Sequence, residues 1–131
     1  MESTMKGMWD YSFLTYAPRD EKSKKYIFDI LSKAKKVVKG VAQTNKMIEN
    51  KSEKIKAIVI ANDKYPPEVV AHLPLVCAEK KIPCISVPRE TLYRMYRVDD
   101  SVAILSLTGE ARISYQIILS EYLSHIRRCL D

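Results

Sequence analysis

The chain has 131 residues, 47% of them hydrophobic and 29% charged, enough for one compact domain with a real core and too short for two. No apolar stretch approaches the roughly 20 residues that span a bilayer, and the N-terminus lacks a signal-peptide core, so the expectation is a soluble intracellular protein with no membrane partner. Three cysteines, Cys77, Cys84 and Cys129, without C-x-x-C spacing argue against a zinc site or disulfide framework and for reduced thiols.

The net charge of +6 is unevenly placed. Residues 22–56 carry eleven lysines against Asp29, Glu49 and Glu53, a local balance of +8, so everything else sums to −2. A basic patch on a slightly acidic body is the footprint of a polyanion partner and predicts salt-sensitive binding. The plainer alternative is a solvated lysine-rich helix face.

In chain order, Met1 to Asp20 is expected to be an irregular N-terminal arm, its Trp9, Tyr11, Phe13 and Tyr16 packing on the body or on a partner. Residues 21–131 then form a single domain. From Glu21 to Lys35, Ile27, Ile30, Leu31 and Ala34 recur at helical spacing between lysines, which predicts an amphipathic helix with a cationic outer side. Val37 and Val38 suit a short strand. Gly40, one of three glycines, then opens a helix running to about Lys51. On that helix Lys39, Ala42, Gln43 and Lys46 share one face, while Val41, Thr44, Met47 and Ile48 share another. Its outward N–H groups, flanked by lysines and an amide, suit an anion or a nucleic-acid edge.

Asn50 to Lys54 reads as a polar loop, and Ile55 to Ala61 as a buried strand at the sheet centre. Asn62 to Tyr65 is a turn, in which Tyr65 is a candidate base-stacking platform. Pro66 and Pro67 predict a helix start, Pro74 a kink, and Leu75 to Lys81 the rest of that helix. Cys84 to Val87 gives a short strand, Pro88 to Tyr96 a short helix, and Arg97 to Ser101 a polar loop. Val102 to Leu107 is a third strong strand. From Arg112 a helical stripe of Tyr115, Ile118, Leu119, Tyr122, Ile126 and Leu130 continues to the C-terminus. Alternating helices and strands predict an α/β fold, a three-layer α/β/α sandwich on a central mixed sheet of four to five strands. A parallel-type sheet would gather its loops at the strands' carboxyl ends.

Catalytic groupings are absent from the pattern. His72 and His125 are the only histidines, there is no Gly-rich phosphate loop or nucleophile elbow, and Cys77 lies five residues after His72, which is not a face-sharing spacing. Asp99 and Asp100 lack further oxygen ligands for a cation and read as a solvated turn. The expectation is no enzyme, no metal, no cofactor and no small-molecule substrate.

Several blocks together resemble a known family. Lys39-Gly40 with Lys46, then Ile58-Val59-Ile60-Ala61-Asn62-Asp63, Pro66-x-Glu68, His72-Leu73-Pro74-Leu75-x-Cys77 and Ile82-Pro83, are similar to the kink-turn-binding superfamily of ribosomal proteins L-seven-Ae and L-thirty-e and the small nucleolar ribonucleoprotein (snoRNP) core proteins. The resemblance spans roughly Tyr16 to Asp131 and implies a domain that binds kinked RNA through the start of its second helix and the loop before its last strand. The RNA-facing set so implied is Lys39, Gly40, Ala42, Gln43 and Lys46, then Tyr65, then Val98, Asp99, Asp100 and Ser101, with Lys36 and Arg97 completing it. Strict kink-turn binders of the family carry Asn-Glu where this chain has Ala42-Gln43, a Glu near Tyr65, and a basic residue and proline near Asp100 and Ser101.

Loss of Asn-Glu, together with Lys33-Ala34-Lys35-x-Val37, resembles the box H/ACA core protein and implies a nucleolar role in rRNA pseudouridylation and ribosome biogenesis. A box C/D and U-four particle core protein, a ribosomal protein of the family acting in the cytoplasm, and an adaptor that has lost RNA binding are the alternatives. The implied partners are structured RNA (snoRNA, snRNA or rRNA) and other ribonucleoprotein core proteins.

Overall fold

The computed structural model describes residues 10–50 and 54–130. Trp9, with the rest of 1–9, lies outside them. The described arm is more ordered than an irregular tail: Asp10–Leu14 forms a 3-10 turn that buries Leu14. Tyr16 then lies beside a strand edge. Helix α1, Glu21–Ser32, begins at Asp20, whose backbone is extended and whose Oδ1 accepts the Ser23 N–H at 3.1 Å. The Ser23 hydroxyl first, and this N–H second, hold the Asp20 carboxyl below its usual pKa.

Helix α1 stops at Ser32, short of the expected Lys35, because β1 (Ala34–Lys39) claims those residues. Ala34 faces Leu107 across an antiparallel ladder, and the Lys33 carbonyl accepts from Thr108 N–H at 3.1 Å. Sheet pairing supplies the backbone partners that a further helical turn would have supplied. Next come α2 (Val41–Glu49) and β2 (Ala57–Ala61), which starts two residues later than the apolar run suggested, with Ile55 only half-buried before it.

Pro66 and Pro67 open only a 3-10 turn, Pro67–Val69, and Pro74 sits inside the first turn of α3 (Leu73–Lys80) instead of kinking a longer helix. A proline there removes no intrahelical bond, since first-turn N–H groups have no partner in the helix. The chain continues through β3 (Cys84–Val87), α4 (Arg89–Tyr96), β4 (Ser101–Leu107) and α5 (Arg112–Leu130).

The sheet has four strands among the described residues, in the order β1-β4-β2-β3. Only β2 and β3 are parallel; β4 runs antiparallel to both β1 and β2, so the sheet is mixed and not parallel-type. In β2 every residue is buried, and successive side chains feed opposite faces. Ala57, Val59 and Ala61 join α1, α4 and Ile118, while Ile58 and Ile60 join α3, the apolar side of α2 and Tyr122. Three α/β/α layers follow. The edge of β3 is closed by the arm: Tyr16 N–H donates to Cys84 O at 2.8 Å and Tyr16 O accepts from Ser86 N–H at 3.0 Å. Pro18, with no N–H, ends that pairing, which keeps the edge from templating another strand.

Helix α5 buries Ser114, Ile118 and Tyr122 at i, i+4 and i+8, whereas Leu130 is exposed at its end. Tyr122 is fully buried, and its hydroxyl has no hydrogen-bond partner among the described residues. Tyr122→Phe therefore raises unfolding free energy by about 1 kcal/mol, because it removes a desolvated polar atom that gets nothing back. Urea denaturation checks this; a destabilised variant would reveal a partner for the hydroxyl.

Candidate nucleic-acid interface

Gly40 ends β1 and stands at the amino end of α2 with φ 90° and ψ 153°, a conformation that side chains beyond glycine rarely adopt. A Cβ there would meet nothing within 4 Å, so the requirement comes from the backbone and not from crowding. Because β4 runs antiparallel to β1 and β2, its first residues lie beside the last residues of both: Lys39 faces Val102, and Ile60 faces Ser101. Gly40 N–H donates to Ser101 O at 2.8 Å, and Ala61 N–H donates to Asp100 O at 2.8 Å. The Asp100–Ser101 segment thus joins two strand ends.

The Asp100 side chain then turns to the helix. Its Oδ2 accepts the Val41 N–H at 3.4 Å and its Oδ1 accepts the Ser101 N–H at 2.6 Å. A carboxylate therefore lies at the positive end of α2, where an incoming anion would otherwise be favoured. Its neighbour Asp99 is bound by Lys64 Nζ at 3.1 Å, which ties the loop before β4 to the turn after β2. Asp63 accepts the Arg89 N–H at 2.7 Å and so fixes the same turn to the start of α4. Two of the three acids at this end are thus matched by a cation, and Tyr65 projects from the turn with 79% of its surface exposed.

The fold gathers Lys39, Gly40, Tyr65, Arg97, Val98, Asp99, Asp100 and Ser101 in segments that meet at this one end of the sheet. Ala42, Gln43 and Lys46 are exposed along α2, with Thr44 buried beneath them, matching the expected division of the helix into wet and dry faces. Lys36 is exposed but lies within β1, four residues before Gly40 at the helix tip. Two assignments change. Ser101 is fully buried in the first rung of β4, so its carbonyl is used by Gly40 and its side chain does not reach the surface. Val98 packs against the core beside Leu92 and contributes to the floor. Asp99 and Asp100 also do more than a solvated turn, since each makes a specific contact to another element.

His72 does not meet Cys77: its Nε2 lies 2.8 Å from Asn45 Oδ1, a donor's position that links the start of α3 to α2, and desolvation lowers its pKa. Cys77 and Cys84 are buried together, and the hydrogen bond between their thiols, with burial, pushes the Cys84 thiol well up, away from nucleophilic use. The i, i+4 pair His125 and Cys129 was legible by spacing on α5, with Sγ 3.5 Å from Nε2. That ring nitrogen is 2.6 Å from Phe13 O, a donor's position, so it does not act as a base toward the thiol. Lys64 and Arg89 went unnoticed in the sequence because their partners lie 35 and 26 residues away.

Among solved structures, the Giardia lamblia 15.5kD RNA binding protein superposes with a TM-score of 0.64 over 82% of this chain and 92% of that one, at 19% identity, which establishes likeness of fold. The sequence of residues 24–114, from α1 through β4 into α5, matches the model of one ribosomal protein family. The chain belongs to the ribosomal protein L7Ae/L30e/S12e/Gadd45 family.

Proposed function

We propose that this chain is a non-catalytic RNA-binding subunit of a ribonucleoprotein, docking on kinked or stem-loop RNA through the amino end of α2. The observation that carries this reading is the meeting of the Gly40 tip, the 62–65 turn and the 97–100 loop at one end of the sheet, beside Lys39 and Lys46. Family membership and the fold shared with an RNA binding protein support it, and neither calls for an enzymatic step. The finer reading is a box H/ACA snoRNP core protein acting with other core proteins in the nucleolus. Ala42 and Gln43 favour it, because a tip without Asn-Glu makes few base-edge bonds and depends on neighbouring subunits for placement.

Electrophoretic titration against a kinked stem and a plain stem, repeated across salt, tests the reading. Binding that falls linearly in log-log form with salt, and weakens in Lys46→Ala with a shallower slope, is expected. Flat, unmeasurable binding to both stems would favour the adaptor instead, a reading that the carboxylate of Asp100 over the helix tip also suits. Sequencing the RNAs that co-purify separates the branches: H/ACA guides support the finer reading, while C/D guides or ribosomal RNA replace it.

Asp100 supplies a sharper outcome. Asp100→Asn keeps an oxygen for one of the two N–H groups, Val41 or Ser101, and removes one negative charge from the phosphate path. At close range that charge costs about 1 kcal/mol even at high dielectric, so RNA binding tightens about fivefold. Weaker binding by the variant would mean that Asp100 itself accepts hydrogen bonds from the RNA.

A further inference from the structure

Helix α4 carries two aromatic-cation pairs at its carboxyl end. The Arg97 guanidinium lies 5.5 Å from the Tyr93 ring centroid, and Lys39 Nζ lies 5.9 Å from that of Tyr96. The two rings are used differently. Tyr96 is half-buried against the core, and its hydroxyl donates to Leu31 O. Tyr93 is 53% exposed and belongs to neither of the buried clusters.

Arg97 is a non-glycine residue in the left-handed region, φ 60° and ψ 29°, at the position where a helix usually ends in glycine. From that position its guanidinium lies over the Tyr93 ring. Arg97 also has no carboxylate partner among the described residues, whereas Arg94, next to it, is bound to Glu90 at 2.8 Å. Three residues later Asp100 touches the tip of α2, so at most about 11 Å of extended chain separates Arg97 from the proposed RNA contact.

We propose that Tyr93 and Arg97 form a stacking platform for an unpaired nucleotide in a single-stranded segment flanking the stem bound at the α2 tip. The inference rests on the RNA-binding reading and extends it to a second contact. Charge favours this occupant: Lys39 at the end of β1 and Arg97 at the end of α4 lie along the way from the tip to Tyr93, a path suited to a phosphate backbone. A half-exposed phenol ring with a guanidinium over it takes a base of any sequence.

The test compares a blunt hairpin with the same hairpin bearing a short single-stranded adenosine extension on its 5′ or 3′ side, by fluorescence polarisation. Wild-type protein is expected to bind one extended probe about tenfold more tightly than the blunt one. Tyr93→Ala should bind the blunt hairpin as wild type does and lose the gain, while Tyr93→Phe keeps it. Arg97→Gly should melt no lower than wild type, because glycine suits the left-handed backbone, yet lose part of the gain; a merely structural role would not separate these readouts. If wild type binds the blunt hairpin but gains from neither extension, or if Tyr93→Ala retains the gain, this inference is overturned and the tip contact stands. Failure of wild type to bind the blunt hairpin even at low salt overturns both.

Discussion

Gly40→Ala destabilises the protein by roughly 1–3 kcal/mol and weakens RNA binding by about tenfold in the fraction that stays folded. The expectation comes from φ 90° and ψ 153°, since the added methyl group itself has open space around it. An alanine relieves the strain only by rotating the peptide, and that peptide carries the N–H bound to Ser101 O at 2.8 Å. Moving it tilts the first turn of α2, shifts the Val41 N–H away from Asp100 and displaces Ala42 and Gln43 together. Stability and binding therefore fall through one cause. Chemical denaturation gives the first loss, and titration at a temperature where the variant is folded gives the second. Unchanged stability would show that the backbone relaxes freely at Gly40 and that another feature holds the tip.

The largest stability effect is expected inside the sheet. Ile60→Ala costs about 2–5 kcal/mol, a sizeable share of the 5–15 kcal/mol typical of a whole domain. Ile60 is 1% exposed, sits in a strand paired on both sides and reaches the cluster of Val70, Leu73, Cys77 and Tyr122. Truncation leaves a void among these side chains, and a sheet bonded on both edges of β2 has little freedom to collapse into it. Ile60→Val should cost only about 0.5–1.5 kcal/mol, and Ile113→Ala, at a position 73% exposed, should stay within about 0.5 kcal/mol of wild type. Urea midpoints for the three variants order the effects; equal shifts at Ile60 and Ile113 would contradict the burial assigned to the central strand.

Much of this architecture was legible before any coordinates. Ile55 to Ala61 reads as a strand covered on both faces, because its apolar, β-branched residues leave little polar side for water, and the structure begins that strand at Ala57. Ile27, Ile30 and Leu31 recur at the helical period and mark the buried side of α1, as Ile118 and Tyr122 do for α5. Gly40 announced a break between two elements, and the division of α2 into Thr44 beneath and Gln43 and Lys46 above follows from spacing alone. All of these depend on contacts within a few residues or on simple exclusion from water, which a linear pattern carries.

What only tertiary structure decided was who lies beside whom. Seating β4 between β1 and β2 is a matter of pairings between residues more than forty positions apart, and no local period records them. From that one placement follow the early end of α1, the burial of Ser101, the Lys64–Asp99 bridge and the arrival of the Asp100 carboxylate at the α2 tip. Local spacing decides which side of each element is dry, whereas strand order is chosen by the folded whole, through the sum of ladder bonds and core contacts that only the closed sheet can make.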